Sequence, residues 1–328
     1  MIILPVFLPH WGCHHQCIYC NQKTITGKSR FSWSETTQQI HSFLEKNRGQ
    51  SKEVAFFGGS FAFLDAELQV KLFQIVHDKS DELTGIRFST TPDSLDLNNL
   101  QFYFENQVKT IELGVQSFDD DTLTRCQRNY TRQDVLDTYS LIRKFPFRII
   151  LQLMPGLPGF TTQNWQKTID ATINLHPEGV RIYPAIVLKG TKLAEMYFNN
   201  EYLPLTLPEA LRLVAAAVTD LENQNIPVIK TGLHSDLDRS EIVAGPFHPG
   251  FGELVRIEII KQKIIANFRA DRTLVFSPLI ISYFRGYEQK MIQELKMALG
   301  LRKIPVKLDP DMEPEEIAFL DIDPDYNW

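Results

Sequence analysis

The sequence predicts an α/β protein: a partial (β/α)6 barrel of the TIM-like type, with a small C-terminal α+β extension. Short apolar runs recur along the chain and alternate with segments of helical pattern. Apolar strands separated by helices are typical of a parallel sheet whose outer face is covered by those helices. Glycines and unusual polar residues follow several predicted strands. That is the edge at which such a barrel carries its active site.

Six apolar runs are interpreted as strands, and the segments between them as helices. The predicted strands are residues 2–8, 53–57, 85–89, 110–115, 148–154 and 180–185. Ser34 and Asp65 are each expected to cap a helix, because their side chains can accept from the first free backbone N–H groups. Thr131 is expected to cap a helix over residues 132–144, and residues 165–175 carry a similar apolar stripe.

Residues 1–230 are assigned to the barrel and residues 231–328 to the extension. The extension is predicted to contain two strands and one amphipathic helix, at residues 254–265, 273–276 and 278–299. From Asp309 onward the chain is acidic. Such a run usually forms a solvated tail, and a lid over the barrel or a subunit contact are the alternatives.

Composition and charge describe an ordinary globular protein. The chain has 328 residues, of which 43% are hydrophobic and 23% charged, and its formal net charge is −6. No lysine- and arginine-rich run stands out, which disfavours a broad nucleic-acid-binding surface. The apolar start has no basic flank or cleavage site and is too short to span a bilayer. We therefore expect a cytoplasmic protein with no membrane partner.

Three of the four cysteines, Cys13, Cys17 and Cys20, lie within eight residues as Cys-x3-Cys-x2-Cys. A [4Fe-4S] cluster normally takes four cysteines, so three thiolates would leave one iron open to a ligand. The alternative is a structural zinc site completed by His14 or His15, but no second ligand pair follows. A disulfide is a weaker interpretation, because nothing marks the chain as secreted.

Glycine and polar residues follow the later strands. Gly58 and Gly59 come after the second strand, and paired glycines let a backbone approach a ligand closely. Ser89 ends the third strand, Gln116 follows the fourth, and Gln152 lies in the fifth, before Gly-Leu-Pro-Gly. Each has an ordinary structural interpretation, as a turn, a cap or a satisfied interior polar group. Together they indicate a cofactor cleft.

The order of these motifs resembles that of the radical S-adenosylmethionine (SAM) enzymes. It is most similar to the radical SAM domain of the Elongator catalytic subunit, and more distantly to oxygen-independent coproporphyrinogen III oxidase. The resemblance covers residues 4–230 and includes Phe-Gly-Gly-Ser-Phe, Glu-Leu-Gly-Val-Gln-Ser and Gly-Leu-Pro-Gly. It implies a [4Fe-4S] cluster held by Cys13, Cys17 and Cys20. It also implies reductive cleavage of SAM to a 5'-deoxyadenosyl radical that modifies a substrate.

The resemblance also implies a set of SAM contacts. The expected contact residues are Tyr19, Gly58, Gly59, Ser60, Ser89, Gln116, Arg128 and Gln152. Tyr19 would present its backbone to the adenine. Ser60 stands where the family commonly has Glu, and Gln152 stands where the oxidase relatives carry an acid. Tyr183, at the end of the sixth strand, is the expected catalytic residue on the substrate side of the cleft.

Three functional hypotheses follow. The first is a radical SAM enzyme that acts on an unidentified substrate and takes electrons from a donor such as flavodoxin or ferredoxin. The second is an Elongator-like tRNA-modifying enzyme. As a partner, tRNA is disfavoured by the acidic charge, by the lack of a basic N-terminal arm and by the absence of an acetyltransferase domain before Trp328. The third is a non-catalytic cluster- or zinc-binding scaffold. Cys126 is expected to stay outside the cluster, because lone cysteines are usually buried apolar residues.

Overall fold

The computed structural model describes residues 1–14, 16–27, 31–269, 271–280, 290–313 and 316–321. The chain divides into two compact units, residues 1–251 and 252–328. Each unit is described by itself below. The functional boundary expected at residue 230 stays a prediction.

The first unit is built on a seven-stranded parallel sheet. In sheet order its strands are β1 (Ile2–Phe7), β2 (Lys52–Phe57), β3 (Thr84–Thr90), β4 (Val108–Gln116), β5 (Arg148–Leu153), β6 (Gly179–Ile182) and β8 (Val228–Thr231). All neighbouring strands pair in parallel. A separate two-stranded antiparallel sheet joins β7 (Val187–Leu188) to β9 (Ile242–Ala244).

The predicted partial barrel is confirmed, and it has one strand more than the sequence indicated. The six predicted strands are β1 to β6. β8 was missed because it is a short edge strand whose residues are half-buried or exposed, so it shows no continuous apolar run. Val54, Phe88 and Ile111 of the central strands are fully buried, as expected for a sheet covered by helices.

Nine described helices accompany this sheet. They are α1 (Gln22–Thr26), α2 (Trp33–Lys46), α3 (Ala66–His77), α4 (Leu97–Glu105), α5 (Asp120–Arg125), α6 (Arg132–Ile142), α7 (Thr162–Leu175), α8 (Lys192–Phe198) and α9 (Leu207–Asn223). The predicted cap at Thr131 is confirmed, as a reciprocal capping box with Asp134. The predicted cap at Ser34 is wrong. The hydroxyl of Ser32 accepts from the Glu35 N–H instead, so α2 begins two residues earlier.

The second unit contains two helices and three strands among its described residues. They are α10 (Phe251–Asn267), β10 (Arg272–Phe276), α11 (Lys290–Leu299), β11 (Val306–Leu308) and β12 (Ile317–Asp321). β10 lies between β11, which is parallel to it, and β12, which is antiparallel. No described helix in either unit has the length and apolar character needed to cross a membrane.

The predicted strand at residues 254–265 is wrong, because this segment lies within α10. Its isoleucine-rich sequence favoured a strand, but the buried residues Ile260 and Ile264 are four apart and pack on Leu274 and Leu295. That spacing places them on one helical face. The strand at residues 273–276 is confirmed as β10. Of the helix predicted over 278–299, residues 281–289 lie outside the described residues, and residues 290–299 form α11.

Candidate active site around the cysteine loop

The loop between β1 and α1 carries the three clustered cysteines. Cys13 is exposed, whereas Cys17 and Cys20 are half-buried. Two turns shape the loop: the Cys13 N–H donates to the His10 carbonyl at 3.1 Å, and the Cys20 N–H donates to the Cys17 carbonyl at 3.0 Å. Burial and then the neighbouring Cys17 thiol raise the pKa of Cys13, and the same causes raise the pKa of Cys20 to about 12. The three thiols are therefore close enough to interact electrostatically.

Two glycines allow this loop to lie directly on the end of β2. A Cβ atom on Gly59 would lie 2.1 Å from the Trp11 carbonyl oxygen, and one on Gly12 would lie 2.2 Å from the Ser60 carbonyl oxygen. Gly12 also has a φ of +70°, in the left-handed region that favours glycine. The Ser60 N–H donates to the Trp11 carbonyl at 3.0 Å. The Gly-Gly motif thus fixes the cysteine loop in place.

The other residues expected near this motif make hydrogen bonds within the protein. The Gly58 carbonyl accepts a backbone N–H of the cysteine loop at 2.8 Å. The Ser89 hydroxyl donates to the Gly59 carbonyl at 3.4 Å. Ser60 is 2% exposed, and its hydroxyl lies 2.9 Å from that of Thr90. The Ser60 side chain therefore joins the ends of β2 and β3, and any contact with SAM would come from its backbone.

Arg128 connects the cysteine loop to the end of β4. Its Nη1 donates to Cys17 Sγ at 2.9 Å, its Nη2 to the Gly114 carbonyl at 2.7 Å, and its Nε to the Tyr130 hydroxyl at 2.8 Å. The Tyr130 hydroxyl in turn donates to the Gly114 carbonyl at 2.6 Å. Burial alone lowers the pKa of Arg128, but Tyr130, Tyr19 and Cys17 together hold it well above its ordinary value. A fixed positive charge therefore lies against the cysteine loop.

Two glutamines meet beside this guanidinium. Gln152 Nε2 donates to Gln116 Oε1 at 3.2 Å. Gln116 is 4% exposed and has a φ of +65°, an uncommon conformation for a residue other than glycine. A Cβ atom on Gly114 would lie 3.0 Å from the Gln116 amide nitrogen and 3.6 Å from Arg128 Nη2. The structure therefore brings these three predicted SAM contacts together at the end of β4.

Tyr19 and Cys126 lie in an apolar cluster that Cys17 and Cys20 border. Tyr19 is 8% exposed, and its hydroxyl has no hydrogen-bond partner among the described residues. Burial raises its pKa well above the ordinary value. Cys126 is fully buried, and burial followed by the Cys17 thiol raises its pKa to about 12. The predicted contact between the Tyr19 backbone and adenine stays a prediction.

Tyr183 follows β6 and is tied to charged residues in the sheet interior. Its N–H donates to the Leu153 carbonyl at 2.9 Å, which places it next to the end of β5. Its hydroxyl accepts from Arg181 Nη1 at 3.1 Å, and Arg181 Nη2 donates to Glu112 at 3.0 Å. Glu112 also accepts from Arg87 at 2.7 Å. Burial raises the pKa of Tyr183, so the hydroxyl stays protonated at neutral pH.

Sequence reasoning missed three side chains that organise the site. Tyr130 holds Arg128, Arg181 holds Tyr183, and Glu112 holds Arg181. A signal was present for two of them. Tyr130 is two residues after Arg128. Arg181 is two residues before Tyr183 in the strand predicted over residues 180–185, and side chains two apart in a strand share a face. Glu112 is the first residue of the Glu-Leu-Gly-Val-Gln-Ser motif, but that motif does not show which residues the carboxylate pairs with.

The donor set fits an iron–sulfur cluster. Three thiols lie on one short loop, and two side-chain N–H groups point at sulfur: Arg128 donates to Cys17, and Gln22 Nε2 donates to Cys20 at 3.5 Å. Donors of this kind stabilise thiolate charge and tune a cluster. As they stand, the described His, Cys, Asp and Glu side chains form no group of three that could hold a metal ion. Cys13, Cys17 and Cys20 are the residues that would hold the cluster.

Comparison with known proteins identifies the family. The model of the radical SAM superfamily matches residues 9–172, and that of the Radical_SAM C-terminal domain matches residues 177–261. An uncharacterized protein of Methanocaldococcus jannaschii is 30% identical over 216 residues, 62% of this chain and 67% of that protein. A tRNA uridine(34) acetyltransferase of the same organism is 28% identical over 169 residues, 51% of this chain. The match covers 31% of that enzyme's own length.

Solved structures share the fold. The Elp3 protein of Methanocaldococcus infernus, with an N-terminal deletion, superposes with a TM-score of 0.63 at 20% identity over 80% of this chain and 63% of that chain. Coproporphyrinogen III oxidase (HemN) of Escherichia coli gives a TM-score of 0.52 at 16% identity over 68% of this chain and 52% of that chain. Because the superfamily model covers half of the sequence, and the cysteine loop with its strand-end motifs lies within that half, the chain belongs to the radical SAM superfamily, whose members are enzymes that bind a [4Fe-4S] cluster and SAM.

Proposed function

We propose that this chain cleaves SAM reductively at its own cluster and uses the product to modify a substrate that is not yet identified. When bound, the cluster and SAM supply the electron and the 5'-deoxyadenosyl radical. The protein's part is to hold the cofactors, orient them and exclude water. We place this reaction in the cytoplasm, where thiols such as the four free cysteines stay reduced.

The observation that carries the proposal is the position of Arg128. One guanidinium contacts both the cysteine loop and the end of β4, which supports assigning the predicted cluster ligands and the predicted SAM contacts to one site. Its charge suits the carboxylate of SAM. The bond from Gln152 Nε2 to Gln116 Oε1 does not use the Gln116 amide N–H group or the Gln152 side-chain carbonyl, which supports a role for both in binding polar groups of the same ligand.

The cysteines have an apolar side and an exposed side, which supports a site that is closed to water on one side and open to an electron donor on the other. Cys17 and Cys20 border the apolar cluster that contains Ile18 and Leu157, which keeps water away from that side. Cys13 is exposed, so an external one-electron donor such as flavodoxin or ferredoxin would approach from its side. This division fits an enzyme that must be reduced from outside while it protects a reactive intermediate inside.

Anaerobic reconstitution with iron and sulfide, followed by SAM and dithionite, tests the proposal. We expect slow formation of 5'-deoxyadenosine by the wild-type chain, and none by Cys17→Ala, which lacks one cluster ligand. Turnover should be low without substrate, because nothing closes the cleft or accepts the radical. If a sample with a full reducible cluster and bound SAM forms no deoxyadenosine, the chain is a non-catalytic scaffold.

A tRNA substrate is the second candidate, and the relatives supply the observation that favours it. One is named as a tRNA uridine(34) acetyltransferase, and a structural neighbour is Elp3. The net charge of −6 argues against it. Filter binding of tRNA across a salt series separates the two cases, because phosphate contacts give a steep loss of affinity with salt. Binding that is weak at every salt concentration would exclude tRNA.

A further inference from the structure

A chain of ion pairs runs through the interior of the parallel sheet. It links five charged side chains from five adjacent strands, β2 to β6: Glu53, Arg87, Glu112, Arg148 and Arg181. Glu53 pairs with Arg87 and Arg148, and Glu112 pairs with Arg87 and Arg181. Three guanidinium groups therefore share two carboxylates. These five side chains together carry one positive charge in excess.

Arg148 and Arg181, the two ends of this chain of ion pairs, differ in their access to water. The Arg148 side chain is 43% exposed, so water stabilises its charge. The Arg181 side chain is 16% exposed and must share Glu112 with Arg87. Arg181 Nε lies 2.9 Å from a Glu112 oxygen yet makes no hydrogen bond, so its N–H is not aimed at that atom. A buried cation with an incomplete partner is costly, and an anion beside it would offset that cost.

Strand register places Arg181 towards the mouth of the barrel, at the carboxyl ends of the strands. In the register of β5 and β6, Arg181 lies opposite Gln152, one of the predicted SAM contacts, and Tyr183 lies two residues further along. Arg181 Nη1 donates to the Tyr183 hydroxyl, whose own hydrogen therefore remains to be donated elsewhere. The second hydrogen of Nη1 has no partner among the described residues. The Tyr183 hydroxyl and Arg181 Nη1 can thus each donate one hydrogen bond to a ligand at the strand ends.

We propose that Arg181 and Tyr183 bind an acidic group of the substrate, a carboxylate or a phosphate, at the mouth of the barrel. This rests on the proposed function and narrows its substrate class. Arg181 supplies the charge, and the Tyr183 hydroxyl donates a hydrogen bond to the same acidic group. Glu112 is a positioning residue, because it acts through Arg181, whose Nη2 donates to it.

Anion binding by the reconstituted protein tests this site without the unknown substrate. The probes are inorganic phosphate and acetate, with acetamide as the uncharged match of acetate. Chloride keeps the ionic strength constant, so general screening does not change. Because a ligand that binds the folded state raises its melting temperature, affinity is measured from the rise in Tm with concentration. We expect a rise with both anions and none with acetamide.

Variants assign the binding to these residues. Arg181→Gln should weaken anion binding roughly tenfold, because a charge-assisted hydrogen bond is lost. Tyr183→Phe leaves the ion-pair chain intact, so it covers the case in which Arg181→Gln does not fold, and we expect it to weaken binding severalfold. Arg125→Gln is the matched control, since Arg125 is exposed and pairs with Asp121 on its own helix. It should bind anions like the wild type.

Competition with SAM separates the two sources of an acidic group. If the site serves the substrate, the anion-dependent rise in Tm persists when SAM is saturating. Abolition of the rise by SAM would assign the site to the carboxylate of SAM and overturn the proposal. A folded Tyr183→Phe variant that binds phosphate as tightly as the wild type would also overturn it. Both outcomes leave the deoxyadenosine assay of the wild-type chain, and hence the proposed function, unaffected.

Discussion

One guanidinium, that of Arg128, holds the cysteine loop against the end of β4. We expect Arg128→Gln to lower the free energy of unfolding by about 1.5–3 kcal/mol, the usual effect of losing hydrogen bonds to a charged group. Urea denaturation of the purified protein measures this change. The loss should be accompanied by weaker SAM binding, since Gln116 and Gln152 would no longer have the cation beside them.

The control for this prediction is Arg125→Gln, three residues away. Arg125 makes an exposed ion pair with Asp121 one helical turn earlier, a type of contact that contributes little to stability because water and salt screen it. The two variants lose the same chemical group, so a difference between them reflects burial and partners. Equal effects of both substitutions on unfolding would show that Arg128 contributes no more than a surface charge.

Asp81 makes the stability of the first unit depend on pH in the acid range. The hydrogen bond from Lys52 is the largest of several causes that hold the pKa of Asp81 well below its usual range. The contribution is fully present above the unfolded-state pKa of about 3.9 and is lost as the pH falls through the folded-state value. In Asp81→Asn this titration is absent. We expect the stability difference between wild type and variant to shrink as the pH falls below about 4, measured by urea denaturation at several pH values.

At the scale of elements, the start of α2 shows how a helix cap is chosen. Ser32 and Ser34 both lie near the helix start, but of the two only the Ser32 side chain accepts from a backbone N–H group of the described residues, that of Glu35 at 3.4 Å. We expect Ser32→Ala to lower the free energy of unfolding by about 0.5–2 kcal/mol, the usual cost of losing a cap. Ser34→Ala, the matched control, should have little effect. If thermal or urea denaturation shows that Ser34→Ala destabilises the protein more than Ser32→Ala, the cap is at Ser34.

Strands β2 to β6 could be predicted from sequence because most of their residues are buried and each strand contains a short apolar run. The apolar run of β1 also predicted a strand, although its first residues are exposed at the sheet edge. β8 and α10 could not. β8 is at the sheet edge and has no apolar run, and α10 contains β-branched residues whose burial follows a helical period. The type of these two elements depends on tertiary packing, which the local sequence does not show.

The candidate site shows the same division. The cysteines and the glycine pair could be predicted, because their spacing along the chain carries the chemistry. The bond from Arg128 to Cys17 joins residues 111 positions apart, and Glu53 meets Arg148 across 95 positions. No local pattern encodes such contacts. The sequence could identify Arg128 as a site residue, but only the fold determines which atoms it contacts.

At the scale of the whole molecule, the ion-pair chain stabilises the sheet that carries the site. Arg87 is its central member, because it pairs at 2.7 Å with Glu53 on β2 and with Glu112 on β4. Its side chain is 4% exposed, so water does not screen these contacts. Replacing a buried ionic group by an apolar one leaves its partners charged and incompletely paired, which costs more than the pair itself contributes.

We therefore expect Arg87→Met to lower the free energy of unfolding by about 3–5 kcal/mol in urea denaturation. Lys79→Met is the control, because Lys79 and Glu45 form an exposed pair at 3.1 Å that should contribute at most about 1 kcal/mol. Adding Glu112→Gln to Arg87→Met removes a carboxylate that has lost one of its two guanidinium partners. If the Arg87–Glu112 pair stabilises the sheet, the double variant should be less destabilised than the sum of the two single substitutions. Strict additivity would mean that this pair contributes nothing to stability.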